Sequence, residues 1–185
     1  MKTVKLLVIT LVALVPSLAL TDDTLVTFRG GIGVDPVSTA ATPNIVRGVQ
    51  PAAQLWAIRD LTAEVKVGGR ITVDGRGLIF AGGDSVGTAL LPGAETASLR
   101  VFATLICENV APFVNRNTNL AGVPLAANGD FRIDDMLSPW PPPGPCNTPV
   151  LLIRNAGNLA WFAAGIQKFD GGGNNNEGGN NNEKG

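Results

Sequence analysis

Few side chains in this chain are equipped for chemistry, and one type is missing. There is no histidine among 185 residues. Ser-His-Asp and Cys-His nucleophile systems therefore cannot be assembled, nor can histidine-ligated zinc or histidine-held copper. A Ser-Lys pair lacks its Ser-x-x-Lys context at Lys66 and Lys168. Gly31-Ile32-Gly33 and Gly75-Arg76-Gly77 lack the third glycine of a dinucleotide fingerprint, and no Gly-Lys-Ser/Thr loop exists. These glycines read as turn and bulge residues.

The carboxylates leave a narrower choice. Asp130, Asp134 and Asp135 flank Phe131-Arg132-Ile133 beside the Asn128-Gly129 turn. Calcium takes oxygen ligands, which makes these three the calcium candidates, but their spacing is not that of an EF-hand loop. The plainer reading is a turn aspartate and a polar strand end, with no metal and no cofactor. A glycosidase needs two carboxylates facing across a cleft, and nothing in the spacing selects a pair. Glu108 follows Cys107 on an apolar strand and is the acid placed to be half-buried, with an arginine as partner.

Cys107 and Cys146 are the only cysteines. In an oxidising compartment they are expected to pair, against the alternatives of buried free thiols or an intermolecular bridge. Closing that loop would stabilise the fold by about 4 kcal/mol through chain entropy. Trp140 lies between Pro139 and Pro141, where a side chain is hard to bury on both sides, so it is the candidate ligand contact. The other reading of Trp140 is a proline-braced ring closing one end of the fold. Trp161 reads as core, and Trp56 is ambiguous.

The elements that would position these residues follow from alternation. Met1 to Ala19 reads as a secretory leader: Lys2 and Lys5, an apolar run from Leu6 to Val15, and the small-x-small site Ser17-Leu18-Ala19. Cleavage one residue later, after Leu20, is the alternative. Residues 20–169 form one expected domain, and 170–185, rich in Gly and Asn, an expected disordered tail. Apolar and polar residues alternate without helical periodicity, and Gly 23 with Pro 13 favours turns over helices.

Three hairpins ending in glycine are expected. Val67-Gly68-Gly69 would set Val65 opposite Ile71, Ala63 opposite Val73 and Asp60 opposite Arg76 as a charge pair. Ala127-Asn128-Gly129 would set Leu125 opposite Phe131 and Val123 opposite Ile133. Asn155-Ala156-Gly157 would set Ile153 opposite Leu159 and Leu151 opposite Trp161. Further strands are expected at 24–29, 77–81 and 99–108, a short edge strand at 44–49, a loop at 82–97 and one helical turn within 52–61. Residues 138–149 carry six prolines and should run as an extended polyproline-like connection. The whole predicts an all-β fold, a single antiparallel β-sandwich (Ig-like or prealbumin-like) of about seven or eight strands.

Several stretches together resemble a family of small exported, mostly bacterial proteins with no assigned function: Val26 to Val34, Gly75 to Gly83, Val101 to Cys107, Val123 to Asp134, Pro149 to Asn155 and Trp161 to Ile166. The resemblance implies one domain from about Thr24 to Phe169 with an appended tail, and it implies no catalytic residue. The piece Val123 to Ile133 is also similar to a hairpin of prealbumin-like and carboxypeptidase-regulatory-like sandwiches.

Net charge is −1, and losing Lys2 and Lys5 with the leader would make it −3. No Lys/Arg cluster survives, so nucleic acid is not an expected partner. Past the leader no segment is long and apolar enough to span a membrane. The expected function is non-catalytic binding of an extracellular or cell-surface ligand, glycan or protein, by a secreted chain. A structural or coat component and a two-carboxylate hydrolase are the alternatives.

Overall fold

The computed structural model describes residues 23–39 and 42–169; the expected leader (Met1 to Ala19) and the expected disordered tail (170–185) lie outside the described residues. Thirteen strands run in chain order: β1 (Thr24–Gly33), β2 (Val37–Thr39), β3 (Thr42–Pro43), β4 (Trp56–Ala57), β5 (Asp60–Lys66), β6 (Arg70–Arg76), β7 (Ile79–Phe80), β8 (Arg100–Ile106), β9 (Arg116–Asn117), β10 (Val123–Pro124), β11 (Phe131–Met136), β12 (Val150–Asn155) and β13 (Trp161–Gln167). Seven of them, β1, β5, β6, β8, β11, β12 and β13, have six residues or more and carry the architecture. No helix forms among the described residues, and the turn expected within 52–61 is instead β4 and the start of β5.

Where alternation suggests two packed sheets, nine of the strands, apart from the separate pairs β2–β3 and β4–β7, make one continuous antiparallel sheet, β10-β8-β12-β13-β1-β5-β6-β11, with β9 also paired to β8. It curls until Ser138, just past β11, meets Asn117 of β9 through two hydrogen bonds of 2.8 and 2.9 Å. The result is a nearly closed barrel, which removes the open edges that invite aggregation. Phe28, Leu61, Val65, Ile71, Val73, Leu105, Ile133 and Leu151 fill it.

The first hairpin has the expected register: Val65 faces Ile71, Ala63 faces Val73 and Asp60 faces Arg76. Gly69 takes the left-handed backbone (φ 88) that the three-residue turn requires. The Asp60–Arg76 charge pair does not form, because the Arg76 guanidinium turns to Asp74 (2.7 Å) and Asp130 (3.4 Å).

The other two hairpins differ from expectation. Gly129 is left-handed (φ 81), but the strands it joins do not pair with each other. Val123 faces Val101 of β8, and Phe131 faces Gly75 of β6. Pro124 offers no N–H to a ladder on its flank, and Leu125 gives its own to Leu99 (2.9 Å), drawing the segment to β8. In the third hairpin Arg154 faces Trp161 and Ile153 faces Ala163, with a bulge between. The loop is longer than expected, and Leu159 (φ 62), not Gly157, is the left-handed residue. Side-chain oxygens of Asn155 and Asn158 accept the Gly157 and Ala160 amides (2.8 and 3.1 Å), supporting the wider turn. Likewise 44–49 is a tight turn bridging Val46 to Val49 rather than an edge strand.

Strands β8 and β12 are buried on both faces, and the chain between β1 and β5 packs over β13 and the end of β8. Ala52 and Trp161 are tied by backbone bonds of Ala52 to Trp161 and of Trp161 to Gln50. The Trp161 indole donates to the Asn44 carbonyl (3.0 Å), and Arg47 donates to the carbonyls of Ile106 and Glu108.

Candidate functional site

The residues singled out by sequence are dispersed. Cys107 and Cys146 form a disulfide that staples residues 138–149 to the end of β8. Trp140 folds back over the β5–β6 turn: its ring lies against Gly69, where an added Cβ would come within 2.7 Å of it, and its Nε1 donates to the Val67 carbonyl (3.0 Å). The side chain is half-buried and engaged by the turn.

The three aspartates do not converge. Asp130 accepts from the Gly77 amide (3.0 Å) and from Arg76, which hold its carboxyl below the usual range. Asp134 pairs with Arg70 through two bonds of 3.0 and 2.9 Å, which lowers its pKa in the same way. Asp135, on the opposite side of β11, accepts from the Asn119 amide (2.7 Å). Among the described residues no three metal-ligating side chains form a group.

Glu108 does find an arginine. Arg116, 1 % exposed, donates to it at 2.7 and 3.2 Å, and the Val114 amide adds a third bond. The Arg116 bonds above all bring the Glu108 pKa down to about 2. Every carboxylate here whose pKa is displaced is displaced downward, the wrong direction for a general acid. Glu64 and Asp74 share one shallow polar depression, but they lie on adjacent strands of one face rather than across a cleft. Each is held by a cation, Lys66 and Arg76 respectively, at 2.7 Å.

A better-built site lies where the covering segment, the 81–99 loop and the 155–160 turn meet. Trp56 of β4 stacks on Phe162 of β13 with ring centroids 4.1 Å apart and an 18° tilt, and Phe80 of β7 lies 4.1 Å from Trp56 on a 38° tilt. The pairing of β4 with β7 (Trp56 facing Phe80) brings these rings together. They floor a depression of about 220 Å³ walled by Leu91, Pro92 and Leu99 and rimmed by Gln54, Asn155 and Asn158. A second depression, about 400 Å³, shares Leu91, Leu99 and Asn155 and carries the groove on to Arg100, Leu120 and Ala121.

The rim is polar in a specific way. Asn155 and Asn158 use their side-chain oxygens within the turn, so their amide NH2 groups have no partner among the described residues, and Gln54 makes no side-chain bond there. Arg154, buried beneath the cover, braces the turn by donating to the Leu159 carbonyl (2.8 Å). Arg100 is tied to the carbonyls of Ala121 and Gly122. No Asp or Glu lines either depression. An apolar floor with a few convergent donors is the make-up of a ligand-binding depression.

Comparisons with protein-family models, with curated proteins and with solved structures find no match to this chain. Sequence reasoning did not single out Gln54, Leu91, Asn155 or Asn158 as ligand contacts. They come from three separate segments, and no spacing signal joins them.

Proposed function

We propose that this is a secreted, non-catalytic binding protein that takes an extracellular or cell-surface ligand in the groove between the 81–99 loop and the 155–160 turn. The observation that carries the reading is the combination of a stacked Trp56–Phe162–Phe80 floor with rim amides that have no internal partner. The rim amides, exposed at Gln54 and Asn158 and half-buried at Asn155, are open to donate to a ligand's acceptors, and an apolar floor supplies area without demanding charge. The disulfide is compatible with an oxidising exterior, and no described helix is long and apolar enough to cross a membrane. The leader-like start and the resemblance to small exported proteins support the same address.

The test is a glycan- and peptide-array screen of the secreted chain beside Leu91→Asp and Asn158→Ala. Leu91 is exposed, so its substitution leaves the core intact. A hit that weakens at least tenfold with Leu91→Asp supports the reading. Silence on both arrays, or hits indifferent to both variants, overturns it.

A further inference from the structure

We propose that the outer face of β1, β5, β6 and β11 is a second binding surface, and that its ligand is an acidic polysaccharide. Arginines scattered along the sequence are brought onto this face by strand register. One cross-strand row reads Arg29, Thr62, Asp74, Arg132, and the next reads Thr27, Glu64, Thr72, Asp134. A polar depression of about 370 Å³ runs between Arg29 and Arg132.

The electrostatics of this face are lopsided. Glu64 is paired with Lys66, Asp74 with Arg76 and Asp134 with Arg70. Arg29 and Arg132 are exposed, and neither makes a hydrogen bond or salt bridge among the described residues. Arg132 also lies close enough to Asp134 to help lower its pKa, but its guanidinium is not tied down, so Arg29 and Arg132 remain the two cations of this face open to a ligand, in a chain whose net charge is −1. Three strand spacings put their backbones roughly 14 Å apart. One small anion cannot meet both, whereas an extended polymer can.

The chemistry between the arginines narrows the polymer. Thr27, Thr62 and Thr72 offer hydroxyls that both donate and accept, which matches a polyhydroxylated chain. A nucleic acid carries a charge every ~1.7 Å of duplex and would set phosphates against Glu64, Asp74 and Asp134. Sparse anionic groups on a sugar chain meet the arginines and leave the paired acids facing hydroxyls.

The experiment measures binding of the intact secreted chain to immobilised polygalacturonate, heparin, neutral dextran and single-stranded DNA across a salt series. Binding to polygalacturonate or heparin is expected, the tighter of the two showing whether carboxylate or sulfate is preferred, with dextran and DNA weaker than both. The double variant R29Q/R132Q should weaken that binding at least tenfold and lower the salt slope by about two. Leu91→Asp in the groove should leave it unchanged, so loss of one surface is distinguishable from loss of the other. Unchanged affinity in R29Q/R132Q, DNA binding tighter than either polysaccharide, or no binding to either acidic polysaccharide at low salt overturns the proposal.

Discussion

The two walls of the barrel are made of similar strands and behave differently. On β5 and β6 every second residue is buried; of the others, Thr62, Glu64, Lys66, Thr72 and Asp74 are partly exposed and Asp60, Arg70 and Arg76 at the strand ends are exposed. On β8, all residues from Val101 to Ile106 are buried. The covering segment between β1 and β5 packs over β13 and the end of β8, so the outer side of this wall becomes a second interior. A wet wall constrains one face and leaves the other free for charge. A covered wall constrains both and pushes polar function to its rim, where the groove lies.

Substitutions can sharpen or break this contrast, and the largest effects belong to the covered wall. Replacing Cys107 and Cys146 together with alanine should cost up to about 4 kcal/mol, since their bridge closes a 39-residue separation at the end of β8. Urea unfolding with and without reductant measures this; a loss below about 1 kcal/mol would mean that the staple constrains little.

Next in size is Glu108→Gln. It leaves the guanidinium of Arg116 buried without a counter-charge and should cost about 3 kcal/mol, with much of that recovered in a Glu108→Gln, Arg116→Met double variant. The same pair sets the acid limb. The Glu108 pKa falls from about 4.5 to about 2 on folding, so its contribution is fully present above pH 4.5 and is lost as pH drops toward 2. The wild type should lose stability through that window and the Gln variant should lose less. Parallel acid limbs would remove Glu108 from the account.

Smaller again is Trp140→Phe, which keeps a ring over Gly69 but removes the indole bond to Val67. A cost of about 1 kcal/mol is expected in thermal unfolding, and a neutral result would mean that the indole bond to Val67 holds the turn weakly. Smallest is Thr72→Val on the wet wall, within about 0.5 kcal/mol. A larger loss there would mean that the two walls are not distinguished by their cover.

The same contrast explains what the sequence makes legible. Leu61 to Val73 could be read to the residue because one wet face leaves only one register that buries Leu61, Ala63, Val65, Ile71 and Val73 together. From Val150 to Ile166 both faces are mostly apolar and even the charge of Arg154 is buried, so no wet face marks the register and alternation loses its power there. The Val123 segment misled for another reason: Pro124 removes a ladder donor, and a short apolar run beside a glycine turn looks like a hairpin whichever strand it joins. Glu108 was legible as a half-buried acid needing an arginine. Its partner Arg116 was not, since β9 reaches it only through a long irregular stretch. The groove was least legible, because Gln54, Leu91 and Asn158 meet through the cover and two loops, contacts that carry no period.

Hydrogen–deuterium exchange of the chain with and without the strongest array ligand tests the central claim most directly. The groove reading predicts added protection at residues 52–56, 91–99 and 155–162, with residues 67–70 around the Trp140-covered turn unchanged. Protection centred on that turn, or none in the three groove segments, would contradict it.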